Sequence, residues 1–518
     1  MATVKDKIGQ MFVVGFEGKQ VTEQMKELIH EYRVGAIILF SRNIGSPEEV
    51  LTLTTELQKE AKIARHKHPL LICIDQENGI VRRLGDGTTV FPGAMALGAT
   101  QKPNHAYDIG VATGRELKAL GINWNLAPVL DVNNNPKNPV IGVRSFGESA
   151  ELVSQFGIAA MKGMQAAEVV TTLKHFPGHG DTDVDSHVAL PVITHDLNRL
   201  EEIELAPFKA CMDANADVVM SAHIHFPEIE KDPQVPATLS KAIITGLLRE
   251  KLQYDGVVTT DCMEMDAISE TIGTERGAVA AIVAGVDLVM ISHIANRQIG
   301  ALKEVSTAVS NGELDMSLIE QAFERVMKLK EKYLSWEDIQ LEGEITVPPI
   351  IASDKHKKLA EAVYTDSVTI VKNEGILPLN VNGNDKILVV EPEYNNTIVE
   401  DKSYESGLLT RLVKKQTSTV DVYHRNSVYQ NLKEYKAAII GVVSPDTRKL
   451  PIIQELINNG VPIIIIAMRS PYDIAHLPTG ISASIATYEY SATAVDVAVA
   501  AIFGTGNAYG KLPVTINV

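Results

Sequence analysis

The sequence predicts an α/β protein, a closed (β/α)8 barrel of the TIM type followed by a smaller αβα sandwich. Three observations lead there. Eight short aliphatic runs recur before residue 293, each followed by a polar or glycine-containing loop and then a helical pattern. A stretch with no period, rich in acids and carrying Pro348–Pro349, interrupts the chain at 336–354. Five further aliphatic runs follow it.

The eight runs are QMFVVGF (10–16), GAIILF (35–40), PLLICID (69–75), INWNLAPVLDV (122–132), VVTTLKHF (169–176), DVVMSAHI (217–224), DGVVTTDC (255–262) and DLVMIS (287–292). Their apolar character is continuous rather than alternating, which suits strands buried on both faces of a parallel sheet. After Pro207, the positions Phe208, Cys211 and Met212 follow i, i+3, i+4 spacing and start an apolar helical stripe, which Asn215 ends. Strands alternating with helices imply right-handed crossovers, and eight such units favour a closed barrel over an open doubly wound sheet. The helix RVMKLKEKYL (325–334) closes the region, so residues 1–335 are assigned to the barrel and 336–354 to a linker. Residues 355–518 form the sandwich, with strands at KILVVEP (386–392), STVDVYH (418–424), AAIIGVV (437–443), PIIIIAM (462–468) and ASIATYE (483–489).

Composition excludes several function classes. Net charge is −17, which repels phosphate backbones and anionic membrane surfaces, so neither nucleic acid nor a membrane is an expected partner. The three cysteines, Cys73, Cys211 and Cys262, form no CxxC pair and fit a reducing compartment. MATVKDKIGQMFVVGF lacks a secretory pattern, and the longest aliphatic runs, such as VPIIIIAM at 461–468, have strand length. A cytoplasmic location is the expectation.

A barrel carries its chemistry at the C-terminal ends of its strands. Asp75 ends the third run and Asp131 the fourth, whose long loop carries Arg144. Lys174 and His175 end the fifth, His223 and His225 follow the sixth, and Asp261 ends the seventh. The densest polar stretch is KHFPGHGDTDVDSH (174–187). Asp181, Asp183 and Asp185 mimic the start of a calcium loop, but its glycine and glutamate positions hold Ser186 and Val192. His175 and His179 have the i, i+4 spacing of a helical zinc pair, yet Pro177 and Gly178 between them oppose a helix. A zinc site, a polar surface connection and a catalytic loop are the remaining readings. A carboxylate at Asp261, opposed by a second proton-transfer group on this loop, is the equipment of a retaining glycosidase.

KHFPGHGDTDVDSH followed by VALP closely resembles the β-N-acetylglucosaminidases of glycoside hydrolase family 3. IDQENGIVRRL, NLAPVLDV, RSFGE, VMSAHIHFP and GVVTTDCMEM match further blocks of that family in order, and VTIVKNEGILPL and GKLPVTI match its second domain. The resemblance implies Asp261 as nucleophile and His187 as general acid/base, with Asp185 as its dyad partner. It implies that Asp75, Arg144, Lys174 and His175 bind sugar hydroxyls and that Met220 and His223 line the same pocket. The implied substrate carries a terminal β-linked N-acetylglucosamine, as in peptidoglycan fragments; neither a cofactor nor a metal is implied. Imidazole titrates near neutrality, and a neighbouring Asp185 would orient the ring and favour its protonated form.

The chain departs from the family at Asn78-Gly79-Ile80, where Gly-Gly-Arg is common, and at Cys262, where a second aspartate is common. Cys262 is expected to pack rather than react. Two related activities compete. A β-glucosidase or β-xylosidase would take its acid/base glutamate from the second domain, where Glu489 in ATYEYS is the candidate. A phosphorylase would use phosphate in place of water.

Overall fold

The structure, a computed structural model, describes residues 2–183, 190–393, 400, 404–424, 431–443 and 449–516. Each of the eight aliphatic runs contains a strand: β1 (Phe12–Val14), β2 (Ala36–Leu39), β3 (Leu71–Ile74), β4 (Trp124–Asn125), β5 (Val170–Phe176), β6 (Val218–Ser221), β7 (Val257–Thr260) and β8 (Val289–Ile291). All pair in parallel, in the order β8-β1-β2-β3-β4-β5-β6-β7. A parallel bridge between Thr259 and Leu288 joins β7 to β8, with the Thr260 N–H donating to the Leu288 carbonyl at 3.0 Å, so the barrel is closed.

Continuous apolar character has its cause in this geometry. Ile38, Cys73, Trp124, Val218 and Met220 fill the barrel interior, while their strand neighbours Ile37, Ile72, Ile74 and Val219 pack outward under the helices. Both faces of each strand are therefore dry. The fourth run yields a two-residue ladder because Pro128 brings no N–H; pairing resumes at the bridge between Val129 and Lys174.

One irregularity shapes the site. Along the β5–β6 ladder, Leu173 opposes Val219 and Phe176 opposes Ser221, so β5 carries one extra residue between them. Such a bulge re-aims side chains that strict alternation would send to opposite faces. Lys174 and His175, adjacent in sequence, both line the same cavity.

The second sheet contains β9 (Thr369–Asn373), β10 (Lys386–Val390), β11 (Val420–Val422), β12 (Tyr435–Val442), β13 (Ile463–Ala467) and β14 (Ala483–Ala486), ordered β9-β14-β13-β12-β10-β11. Helices Leu408–Gln416 and Ala492–Phe503 cover one face, and helix Leu450–Asn458 covers the other. This is the αβα sandwich. Strand β9, antiparallel to β14, went unread in the sequence because it is an edge strand whose short apolar run, VTIV at 368–371, gives way at once to Lys372 and Asn373. Helix Asp354–Ser367 joins the two parts, since its Ala360, Val363 and Tyr364 pack into the hydrophobic cluster of the barrel. Buried Glu116 reinforces this join by accepting from Thr89, from the Ala352 N–H (3.2 Å) and from His356 Nδ1 (2.8 Å). Among the described residues, no helix is long and apolar enough to cross a membrane.

Candidate active site

A cavity of about 270 Å³ opens at the C-terminal rim of the barrel strands. Asp75, Arg144, Lys174, His175, Met220 and Asp261 all line it, so six of the residues selected from sequence converge on one space. They come from separate places: Asp75 follows β3, Arg144 follows β4, Lys174 and His175 lie in β5, Met220 in β6, and Asp261 follows β7. His223 is not among the lining residues. It is buried, with Nδ1 at 2.8 Å from Thr238 Oγ1 and Nε2 at 2.9 Å from the Cys262 carbonyl, and so it supports the turn that carries Asp261. Asp185 and His187 lie outside the described residues.

The chain on either side of that pair is firmly attached. Upstream, Asn138 Nδ2 donates to the carbonyls of His179 (2.8 Å) and Gly180 (2.9 Å), and Asn135 Nδ2 donates to Asp183 (2.7 Å). Downstream, Val192 bridges to His225.

Charge within the cavity is tightly paired. Lys174 Nζ lies 2.7 Å from Asp75 Oδ1 and 2.6 Å from Glu77 Oε1. Arg144 grips Glu77 in a two-point contact, Nε to Oε2 at 2.9 Å and Nη2 to Oε1 at 2.7 Å. Burial alone would raise the Glu77 pKa, but the charges of Arg144 and Lys174 outweigh it and hold the carboxyl well below the usual range. Burial disfavours charge on Lys174 too; Asp75 and Glu77 reverse this, and its pKa is raised. Glu77 was not selected from sequence, although its spacing of two from Asp75 in IDQEN was the available signal.

A second ordered unit stands beside this one. Asp131, fully buried, accepts the backbone N–H groups of His175 (3.2 Å) and His179 (2.7 Å) on Oδ1, and its Oδ2 lies 2.7 Å from His175 Nδ1. Burial opposes its ionisation, yet the two histidines outweigh that and lower its pKa. Arg144 Nη2, a donor, lies 3.4 Å from His175 Nε2. The two contacts together assign His175 the Nδ1–H tautomer, with Nε2 as acceptor towards the cavity. Burial pushes His179 down to about 4, which leaves that ring neutral at pH 7.

Around Asp261, the Cys262 N–H donates to Oδ1 at 2.7 Å. Glu264 ties this turn to the end of β8, because its Oε2 accepts the N–H groups of Ser292 (2.9 Å) and His293 (2.6 Å) and its Oε1 that of Ile294 (2.7 Å). No sequence signal beyond the acid in DCMEM pointed to it. Cys262, Glu264 and His293 bring potential metal-ligating atoms within 4.8 Å of one another. Burial holds the Cys262 thiol up at about 12, so it is protonated at neutral pH, and Glu264 already accepts three N–H groups; the trio fits a hydrogen-bonded cluster better than a metal site.

Glu489 stands elsewhere. It is 3 % exposed, accepts the Gly93 N–H on Oε2 (3.0 Å) and the Tyr364 hydroxyl on Oε1, and is not among the residues lining the cavity. Gly79 is required beside it, since a Cβ there would meet Gly93 Cα at 2.8 Å and Glu489 Oε2 at 3.1 Å, at a φ of +60°. Glu489 fastens the second sheet to the barrel.

A (β/α)8 barrel with several carboxylates around a cavity at its rim is the architecture of a glycoside hydrolase. Residues 3–329 match the model of the glycosyl hydrolase family 3 N-terminal domain, and the chain belongs to that family. It is 31% identical over 552 residues to Beta-hexosaminidase A of Pseudoalteromonas piscicida, covering 95% of this chain and 91% of the relative. A solved glycoside hydrolase family 3 β-N-acetylglucosaminidase from Paenibacillus sp. str. FPU-7 superposes with a TM-score of 0.91 at 37% identity, covering 99% of both chains. A fungal multi-domain β-N-acetylglucosaminidase of the same family gives 0.92 at 38% identity; this chain is covered to 99% and spans 61% of that longer protein.

Proposed function

We propose that this protein is a retaining, exo-acting β-N-acetylglucosaminidase. It removes terminal β-linked N-acetylglucosamine from peptidoglycan-derived or chitin-like oligosaccharides, and Asp261 forms the covalent glycosyl intermediate. The observation that carries the reading is the position of Asp261 in the cavity that also holds the paired Asp75–Lys174–Glu77–Arg144 cluster. That cluster offers fixed donors and acceptors for sugar hydroxyls around a carboxylate at the end of β7. The likeness to named β-hexosaminidases and β-N-acetylglucosaminidases over nearly the whole chain supports the substrate class.

In this mechanism Asp261 attacks the anomeric carbon while His187, oriented by Asp185, protonates the departing oxygen. His187 then takes a proton from water, which releases the sugar with its configuration retained. The division into barrel (1–335), linker (336–354) and sandwich (355–518) belongs to the same proposal. Support comes from the helix Met316–Tyr333 and from the next α-helix, which begins at Asp354, with only the short turn Trp336–Asp338 between them.

Water is the acceptor favoured by the charge balance. Among the described residues, the lining includes the carboxylates Asp75, Glu77, Asp261, Glu264 and Asp266 against the cations Arg83, Arg144 and Lys174. Each of these cations lies within 4.0 Å of a carboxylate, and a phosphate dianion would enter against an excess of negative charge. The burial of Glu489 against Tyr364 and Gly93 likewise weighs against a β-glucosidase that draws its acid/base from the second sheet.

The test is incubation with a slow fluorinated N-acetylglucosamine donor followed by peptide mass spectrometry. A sugar adduct on the peptide containing Asp261 is expected; an adduct elsewhere, or none at a donor concentration that inactivates the enzyme, overturns the assignment.

A further inference from the structure

The loop that carries Arg144 is held from two sides. Its side chain is gripped by Glu77, as described above. Its backbone is gripped by the last described segment of the chain, residues 511–516, which follows the helix Ala492–Phe503 and runs against the barrel loop. The Glu148 N–H donates to the Pro513 carbonyl at 3.2 Å. In return, Glu148 accepts the Thr515 N–H (2.8 Å) on one carboxylate oxygen and the Thr515 hydroxyl (2.6 Å) on the other. Farther along, the Lys511 N–H donates to the Ala99 carbonyl at 2.9 Å.

Packing follows the same path. Val514 is 3% exposed and shares a hydrophobic cluster with Val143, the residue before Arg144, together with Met95, Ala99 and Ile474. The two backbones touch closely enough that Gly147 is needed, since a Cβ there would stand 2.7 Å from the Pro513 carbonyl oxygen. From the barrel side, Ser145 Oγ donates to the Asp131 carbonyl (2.6 Å) and the Asn133 N–H to the Gly147 carbonyl (2.9 Å). The turn after β13 reaches this side as well, where the Tyr472 hydroxyl accepts from Asn133 Nδ2 at 3.1 Å.

We infer that the C-terminal segment is a strap by which the second domain sets the position of Arg144, with Glu148 and Val514 as positioning residues for sugar binding. Neither touches the cavity; they act through the loop between them and the guanidinium. The second domain thus contributes to substrate affinity although, among the described residues, none of its side chains is in the lining. This inference rests on the reading of Arg144 as a sugar-binding residue, and the experiment separates the two.

KM and kcat for a nitrophenyl N-acetylglucosaminide are measured in the full-length protein carrying Glu148→Ala with Val514→Ala, in Arg144→Gln, and in the combination. A control, Asp366→Asn, weakens the same domain interface at a contact that does not involve the Arg144 loop, where Asp366 meets Lys102 and His105 at 2.7 Å. The strap variant is expected to raise KM about tenfold with kcat within about twofold, the pattern of lost uniform binding. Combining it with Arg144→Gln is expected to add nothing beyond Arg144→Gln alone, because residues acting through one group are not additive. Asp366→Asn is expected to leave KM unchanged. An unchanged KM in Arg144→Gln overturns the binding role of Arg144 and the strap with it. If Arg144→Gln does raise KM, then an unchanged KM in the strap variant, a multiplicative effect in the combination, or an equal rise in Asp366→Asn overturns the strap alone.

Discussion

Lys174 stands 2.6 Å from Glu77, with side-chain exposures of 2% and 6%, so a full ion pair is buried at the centre of the cavity. Its second carboxylate partner, Asp75, completes a cluster in which each charge depends on the others. Removing Glu77 leaves Lys174 short of one partner and Arg144 without its two-point contact.

Glu77→Ala is therefore expected to destabilise the fold by about 3–5 kcal/mol, the usual cost of orphaning a buried charge. Urea unfolding at pH 7 measures it. The sign of the pH dependence follows from the lowered pKa of Glu77 in the folded state. Its contribution is complete above the unfolded glutamate pKa of about 4.3 and is lost as pH falls from there towards the lower folded value. The wild type should lose stability more steeply than Glu77→Gln below pH ~4.

Asp131→Asn is expected to keep the fold and weaken the site. The amide oxygen would take over the two backbone N–H groups now on Oδ1, which turns the amide NH₂ towards His175 Nδ1. His175 must then carry its proton on Nε2, against the donor Arg144 Nη2. A fall in kcat/KM of about 10–100-fold is expected, the range seen when a group that orients a functional histidine is lost. Steady-state kinetics alongside a thermal melt separate this from unfolding.

Glu489→Gln tests whether the second sheet supplies an acid. Activity should stay within about threefold of wild type, whereas loss of a true general acid costs about 10²–10⁴-fold. Burial raises the Glu489 pKa, so the folded protein holds that proton more tightly than the unfolded chain. Its effect is to make stability fall as pH rises from the unfolded value of about 4.3 towards the folded one, and the glutamine variant should flatten that slope.

Alkylating reagents at pH 7.5 should leave activity intact. Burial raises all three thiols, with Cys262 at about 12 and Cys73 and Cys211 raised as well, so none offers a thiolate in the native state. Residual activity after iodoacetamide treatment reads this directly, and rapid inactivation would contradict the packing role of Cys262.

Asp261→Ala should lower kcat by about 10⁴-fold, and Asp185→Asn by about 10²-fold with a changed pH profile. If Asp185→Asn leaves both rate and profile unaltered, the dyad is wrong.

The barrel was legible because each of its strands is dry on both faces and so leaves an unbroken aliphatic run. The rim was legible for the same reason, since Asp75 and Asp261 are the first charges after such runs. Strand β9 was not, because its apolar run is only four residues long and its second half, Lys372 and Asn373, is polar. Glu77 and Glu264 escaped because their importance lies in what they meet across the rim, Arg144 in one case and the N–H groups of residues 292–294 in the other. His223 looked equivalent to its neighbours at a strand end, yet its partners Thr238 and Cys262 turn it into support for the Asp261 turn.

The extra residue in β5 has a consequence for how this protein can vary. Two consecutive codons serve one cavity only because the pleat slips by a single position at that point. Deleting one residue there would restore regular pairing and leave a single side chain between Leu173 and Phe176 to face the cavity. Point replacements at 174 and 175 alter the chemistry of the rim, whereas a shorter strand would lose one of its two polar groups outright, so length in this strand should be the feature least free to drift.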